Sequence, residues 1–171
     1  MVPLVDAMDD EVVLWNMRRH GAPLSMCGAP GPTLSLEETL AHGLLESRKS
    51  ATVAQTWPVV FAKHRREVGL LKLESLACSL GQGQVLGFFL TVLERLLPDA
   101  SLGPVAQRLK LSKPSAMSYL FGTDKAGPLY RRLTRMRTPA VAKEWGFWMN
   151  MDLDDFRSCL LKFLPRHETV L

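Results

Sequence analysis

Tyrosine occurs only twice in this 171-residue chain, and β-branched residues never gather into long runs. Both shortages count against a sheet-rich fold, because strands draw on aromatic and β-branched side chains to cover a pleated surface. Cysteine is scarce as well. Cys27, Cys78 and Cys159 are widely spaced and form no C-x-x-C pair, which argues against a disulfide framework or a zinc knuckle. Cys78 and Cys159 stand among apolar residues and are expected as ordinary core thiols in a reducing cytoplasm. The opening residues, MVPLVDAMDDEVVLW, have neither the basic nor the apolar region of a secretory signal. The longest uncharged stretch, between Glu74 and Glu94, is interrupted by Gln82, Gln84, three glycines and two serines. It is expected as two buried helices joined by a Gly-rich turn rather than as a membrane span. These shortages predict a soluble cytoplasmic protein.

Signatures of catalysis are missing too. His20, His42, His64 and His167 are dispersed, and none shares H-x-x-x-H spacing with another, so a helical metal pair is not expected. There is no G-x-S-x-G, and no glycine-rich loop of Walker or dinucleotide type. Gly81-Gln82-Gly83 is too short and too hydrophobic in context to cradle a phosphate. Asp152, Asp154 and Asp155 form a dense acidic cluster without the Gly and terminal Glu of an EF-hand loop. An acidic first helical turn explains them. The expectation is a protein that is not an enzyme and uses no cofactor or metal.

What is present is helix punctuation. Hydrophobic residues make up 47% and charged residues 22% of the chain, ordinary values for a globular fold. Asp9 to His20 reads as a first helix, acidic at its start and basic at its end. Residues 21–34 hold a Pro/Gly-rich loop. Ser35 to Glu38 has the S-x-x-E form of a capping box and opens a helix to about Arg48. Ser50 caps the next helix, within which Pro58 predicts a kink or break near Trp57. Leu70 to Leu97 is expected as a central hydrophobic hairpin, its first arm ending at Gly81 and its second at Pro98. Phe88, Phe89, Val92, Leu93 and Leu96 are the core candidates, and Gly87 suggests a close crossing. Ser101, Ser112, Pro128, Thr138-Pro139 and Asp152 mark five further starts. The predicted architecture is a single all-α domain spanning 1–171, a compact bundle of about eight to ten short helices around that hairpin.

Charge is uneven. Between Ser101 and Lys143 lie nine basic residues against Asp124 alone, a net charge of +8 in a chain of +4 overall. The remainder therefore carries −4. Such polarisation points to an anionic partner.

Two segments could use it. Val105 to Leu120 resembles a helix-turn-helix, with Ser112 capping the second helix. In that arrangement Lys113, Ser115, Ser118 and Tyr119 would read DNA while Arg108 and Lys110 hold phosphates. Further on, Arg131, Arg132, Arg135 and Arg137 share a helix and are followed by Trp145 and Trp148. Arginine beside aromatic residues suits a protein-binding hot spot, or a stacking surface for single-stranded nucleic acid.

Three stretches carry a family likeness: RRHGAP at Arg18–Pro23, GQGQVLGFFL at Gly81–Leu90, and AKEWGFWMNMDLDDFRSCLLKF at Ala142–Phe163. Together they resemble small helical bacterial proteins encoded beside nucleotidyltransferase-type toxins. The resemblance implies an antitoxin that neutralises its toxin by direct contact, and it transfers no binding residue. The leading expectation is thus a non-catalytic, antitoxin-like binder with a protein partner. The alternative is a DNA-binding regulator built on Val105–Leu120.

Overall fold

The cap signals are realised along the first half of the chain in a computed structural model, which describes residues 8–25, 30–97, 102–112, 116–121 and 127–164. Helix α1 (Asp10–Arg19) starts where the Asp9 carboxylate accepts the Glu11 N–H at 3.0 Å. Its acids lie in the first turn and its arginines in the last, matching the helix dipole. Helix α2 (Leu36–Lys49) opens on a complete capping box between Ser35 and Glu38. Helix α3 (Ala51–Lys63) is capped by Ser50 and continues through Pro58, so the break expected near Trp57 does not occur. Helices α4 (Leu70–Ser79) and α5 (Gly83–Leu96) are joined through Gly81, whose φ of +68° favours glycine. Then follow α6 (Leu102–Leu111), α7 (Pro128–Arg137), α8 (Ala140–Glu144) and α9 (Leu153–Phe163). Two dipeptides, β1 (Ser118–Tyr119) and β2 (Phe147–Trp148), pair in parallel, with Ser118 opposite Phe147 and Tyr119 opposite Trp148. Nine helices among the described residues make the fold all-α.

The core is organised by one helix rather than by the expected hairpin. Along α5, residues 85–90, 92, 93 and 96 are buried, including all five predicted core positions. On α4 only Leu73 and Ala77 are buried, while Leu71 is 75% exposed. The all-apolar look of LLKLESLACSL misleads here, because one narrow stripe meets the core and the rest faces out. Cys78 is likewise exposed and Cys159 only half-buried, so neither is the core thiol its neighbours suggested.

Aromatic rings fill the centre. Trp57 stacks on Phe89 at 5.0 Å and on Phe61 at 5.6 Å between centroids, within the favoured range for offset pairs. Its indole N–H donates to the Leu40 carbonyl at 2.8 Å, so a large buried ring keeps no unmet donor. Phe88 meets Phe147 and Phe156 edge-on, which draws β2 and α9 onto α5. Gly87 lies flush against the Trp145 ring; a Cβ there would overlap three of its atoms. The predicted close approach is real, made by a tryptophan from a turn rather than by a crossing helix. Pro139 and Asp152 precede helices and Pro128 opens one, as expected of start positions, whereas Pro98, Ser101, Cys27 and His167 lie outside the described residues. No helix among the described residues is long and apolar enough to cross a membrane.

Candidate interaction surface

Among the described residues of Val105–Leu120, one helix is present and no second. After α6 ends at Leu111, the chain reaches Ser118 and Tyr119 as strand β1. Lys113 and Ser115 lie outside the described residues. The backbone N–H of Ser118 donates to Gly146 at 2.9 Å and that of Leu120 to Trp148 at 3.0 Å. Those bonds hold the presumed recognition residues in extended backbone, so Ser118 and Tyr119 lie on no helix that could enter a groove. The intended phosphate contacts are also engaged elsewhere. Arg108 makes a two-pronged bond to Glu74, at 2.6 and 3.2 Å. Lys110 lies 3.7 Å from Glu144.

The two tryptophans expected to act together are separated by the same turn. Trp145 is 1% exposed, its N–H donating to the Thr91 hydroxyl at 3.0 Å and its carbonyl accepting from Gln84. It belongs to the core and is not a contact residue. Helix α8 stops at Glu144, and Gly146 takes a φ of +78°. Consequently Phe147 turns inward and Trp148 remains half-exposed.

Around Trp148 a different constellation assembles, from residues the sequence assigned to two separate sites. Tyr119 and Trp148 are cross-strand partners on the same face. Arg135 reaches across both: its guanidinium lies 5.7 Å from the Tyr119 ring centre and 5.8 Å from that of Trp148. Its Nε donates to the Tyr119 hydroxyl at 2.7 Å. Cation–π pairs of this kind contribute about 0.5–1 kcal/mol each at exposed sites. Arg135 is thereby fixed in place without being neutralised.

Helix α7 carries Arg135 and is held by one edge. Thr134 is its only buried residue. Thr138, just beyond its end, accepts the Met149 N–H at 3.1 Å, and its hydroxyl sits 2.7 Å from the Thr134 carbonyl. Tyr130 accepts a hydrogen bond from Asn150. Everything else on the helix faces outward, with Leu129 and Met136 both 71% exposed and Leu133 40% exposed. Positions 129, 133 and 136 follow i, i+4, i+7 spacing and so form one stripe. A stripe of that spacing ordinarily signals a core-facing surface, so the sequence pattern alone disguised it. Leu129, Tyr130, Leu133, Met136 and Asn150 are the interface candidates that the sequence did not single out.

The charge on this helix is unopposed. Among the described residues none of Arg131, Arg132, Arg135 or Arg137 pairs with a carboxylate, in contrast to Arg95 on α5 and Arg108 and Lys110 on α6. A shallow groove of about 510 Å³ runs between Pro128, Arg131, Arg132, Arg135 and Met136. Arginine, tryptophan and tyrosine with exposed aliphatic side chains is the composition of protein-binding hot spots.

The acidic cluster at α9 has a local purpose. Asp152 accepts the N–H groups of Asp154 and Asp155 at 2.9 and 3.1 Å, and Asp155 reciprocates on the Asp152 N–H, completing a capping box. Compared with family models, curated proteins and solved structures, the chain has no significant match.

Proposed function

We propose that this protein is a non-catalytic regulatory binder of the antitoxin kind, which neutralises a nucleotidyltransferase-type toxin by docking the α7 face against it. The observation that carries the binding reading is the state of α7 itself. A folded chain has little reason to expose three aliphatic side chains on one stripe beside four arginines that meet no carboxylate among the described residues unless another molecule covers them. Fully burying a leucine or methionine is worth about 1.5–3 kcal/mol, so closing this stripe in a complex would supply a useful share of a binding energy. The toxin class comes from the resemblance at Arg18–Pro23, Gly81–Leu90 and Ala142–Phe163. A nucleotidyltransferase that holds its metal with carboxylates would present an anionic surface to the arginines.

The duplex-DNA reading is not favoured by the placement of Ser118 and Tyr119 in strand β1 rather than on a helix. Co-expression with a nucleotidyltransferase-type toxin from the same genome tests the proposal. The expected result is a stoichiometric complex that survives nuclease treatment and restores growth arrested by the toxin. Arrest that persists with no complex, or recovery of nucleic acid alone, would overturn it.

A further inference from the structure

We infer that the element covering α7 is an acidic amphipathic α-helix of the partner, lying along the Leu129–Leu133–Met136 stripe with its carboxylates on Arg131, Arg132 and Arg135. This rests on the binding reading above and specifies the chemistry of its partner.

The stripe and the charge occupy adjoining sectors of one short helix. From Leu129 to Met136 the stripe is about 10 Å long, two turns of α-helix. Arg132 and Arg135 border Met136 at four residues and one residue in sequence, and both line the groove that Met136 closes on one side. The attached edge, marked by Thr134, lies roughly 130° around the helix from the stripe. The outward surface is therefore a ridge of three aliphatic side chains beside a row of guanidinium groups. A helix docked there at the usual separation of about 8–10 Å would set its own apolar ridge against the Leu129–Leu133–Met136 stripe. Asp or Glu on one flank of that helix would meet the arginine row in two-pronged geometry.

Other occupants satisfy only part of this surface. A second copy of the chain would bring arginine against arginine, with no acid on α7 to separate them. Single-stranded nucleic acid would meet the arginines and stack on Trp148 but leave the aliphatic stripe in water. An anionic bilayer favours a broad apolar face carrying aromatic anchors. Here the stripe has three residues, and Tyr119 and Trp148 sit beneath Arg135 rather than on it. An acidic amphipathic helix covers both sectors at once.

The probe is a labelled synthetic helix of about 18 residues with leucines at heptad spacing and glutamates on the flanks. Its binding to the full chain is followed by fluorescence anisotropy, beside a counterpart with lysine for glutamate, an oligothymidine strand and phosphatidylserine vesicles. The glutamate helix should bind, weaken from about 50 to 200 mM salt, and lose roughly tenfold or more in affinity with Arg131→Glu or Leu133→Asp. Circular dichroism should show both variants folded. No binding of the glutamate helix, equal binding of the lysine helix, unchanged affinity in both variants, or tighter capture by vesicles or oligothymidine would each overturn the inference. A toxin complex that forms normally with both variants would overturn it too, while leaving the neutraliser reading standing. Peptide binding without any toxin complex would do the reverse.

Discussion

At Gly87 the helix surface is worn flat so that Trp145 can lie on it. Replacing Gly87 with alanine puts a methyl group into that ring, and both the α5 backbone and the buried indole are too confined to yield. A loss of about 1–3 kcal/mol is expected, read as a lower urea midpoint at unchanged slope. Truncating Trp145 to alanine should cost about 3–5 kcal/mol as a cavity opens beneath α5, whereas the same change at half-exposed Trp148 should leave folding nearly intact. A glycine between bulky apolar neighbours advertised the close approach, but its partner 58 residues away was not legible. Two tryptophans three apart look like one helical face. They diverge because α8 ends at Glu144 and Gly146 reverses the chain. A second residue-scale expectation concerns acid. Burial pushes the His20 imidazole below its ordinary value near 6.5, with His64 and Arg19 adding repulsion; burial acts on His42 in the same direction. For both groups the unfolded chain binds protons first as pH falls. Stability should therefore be complete above about pH 6.5 and decline as pH drops below it. His20→Gln should flatten that decline in part, and a double change with His42→Gln should flatten it further.

Elements with their own start and stop signals were readable from the chain; elements made by distant partners were not. The Ser35–Glu38 box, the Asp9 and Ser50 caps and Pro128 at the head of α7 each act within one turn of the residue that announces them. Strand β1 is two residues long and exists through its bonds to Gly146 and Trp148. No periodicity can declare so short a strand, and SKPSAMSYL consequently read as a helix. Pro58 does not break its helix: α3 is buried along most of its length, and packing there outweighs one missing backbone donor. On helix α7 the arginines were read from the chain and the apolar stripe was not, because an i, i+4, i+7 stripe looks the same whether it faces a core or a partner. Its freedom can be measured. Leu133→Asp, Met136→Asp and Arg131→Glu should each shift the unfolding free energy by no more than about 0.5 kcal/mol, as exposed positions do. Leu93→Asp on α5 should prevent folding altogether. A large destabilisation by the α7 changes would mean that the stripe is part of the core.

Over the whole molecule the basic segment divides into two parts with different fates. On α6, Arg108 and Lys110 are engaged by Glu74 and Glu144, and that charge is largely cancelled within the fold. On α7 the arginines meet, among the described residues, aromatic rings and a hydroxyl but no carboxylate. The sequence-level excess of +8 could not separate these two parts, since the cancelling acids come from residues 74 and 144. The surface that remains joins charge, aromatic rings and exposed aliphatic side chains within one helix and the strand pair beside it. Whether that surface binds the proposed partner can be read directly by hydrogen exchange of the protein free and mixed with a nucleotidyltransferase-type toxin. Slowed exchange should be concentrated in Pro128–Arg137 and Phe147–Trp148. Slowing confined to other elements, with α7 exchanging as it does in the free protein, would contradict the assignment.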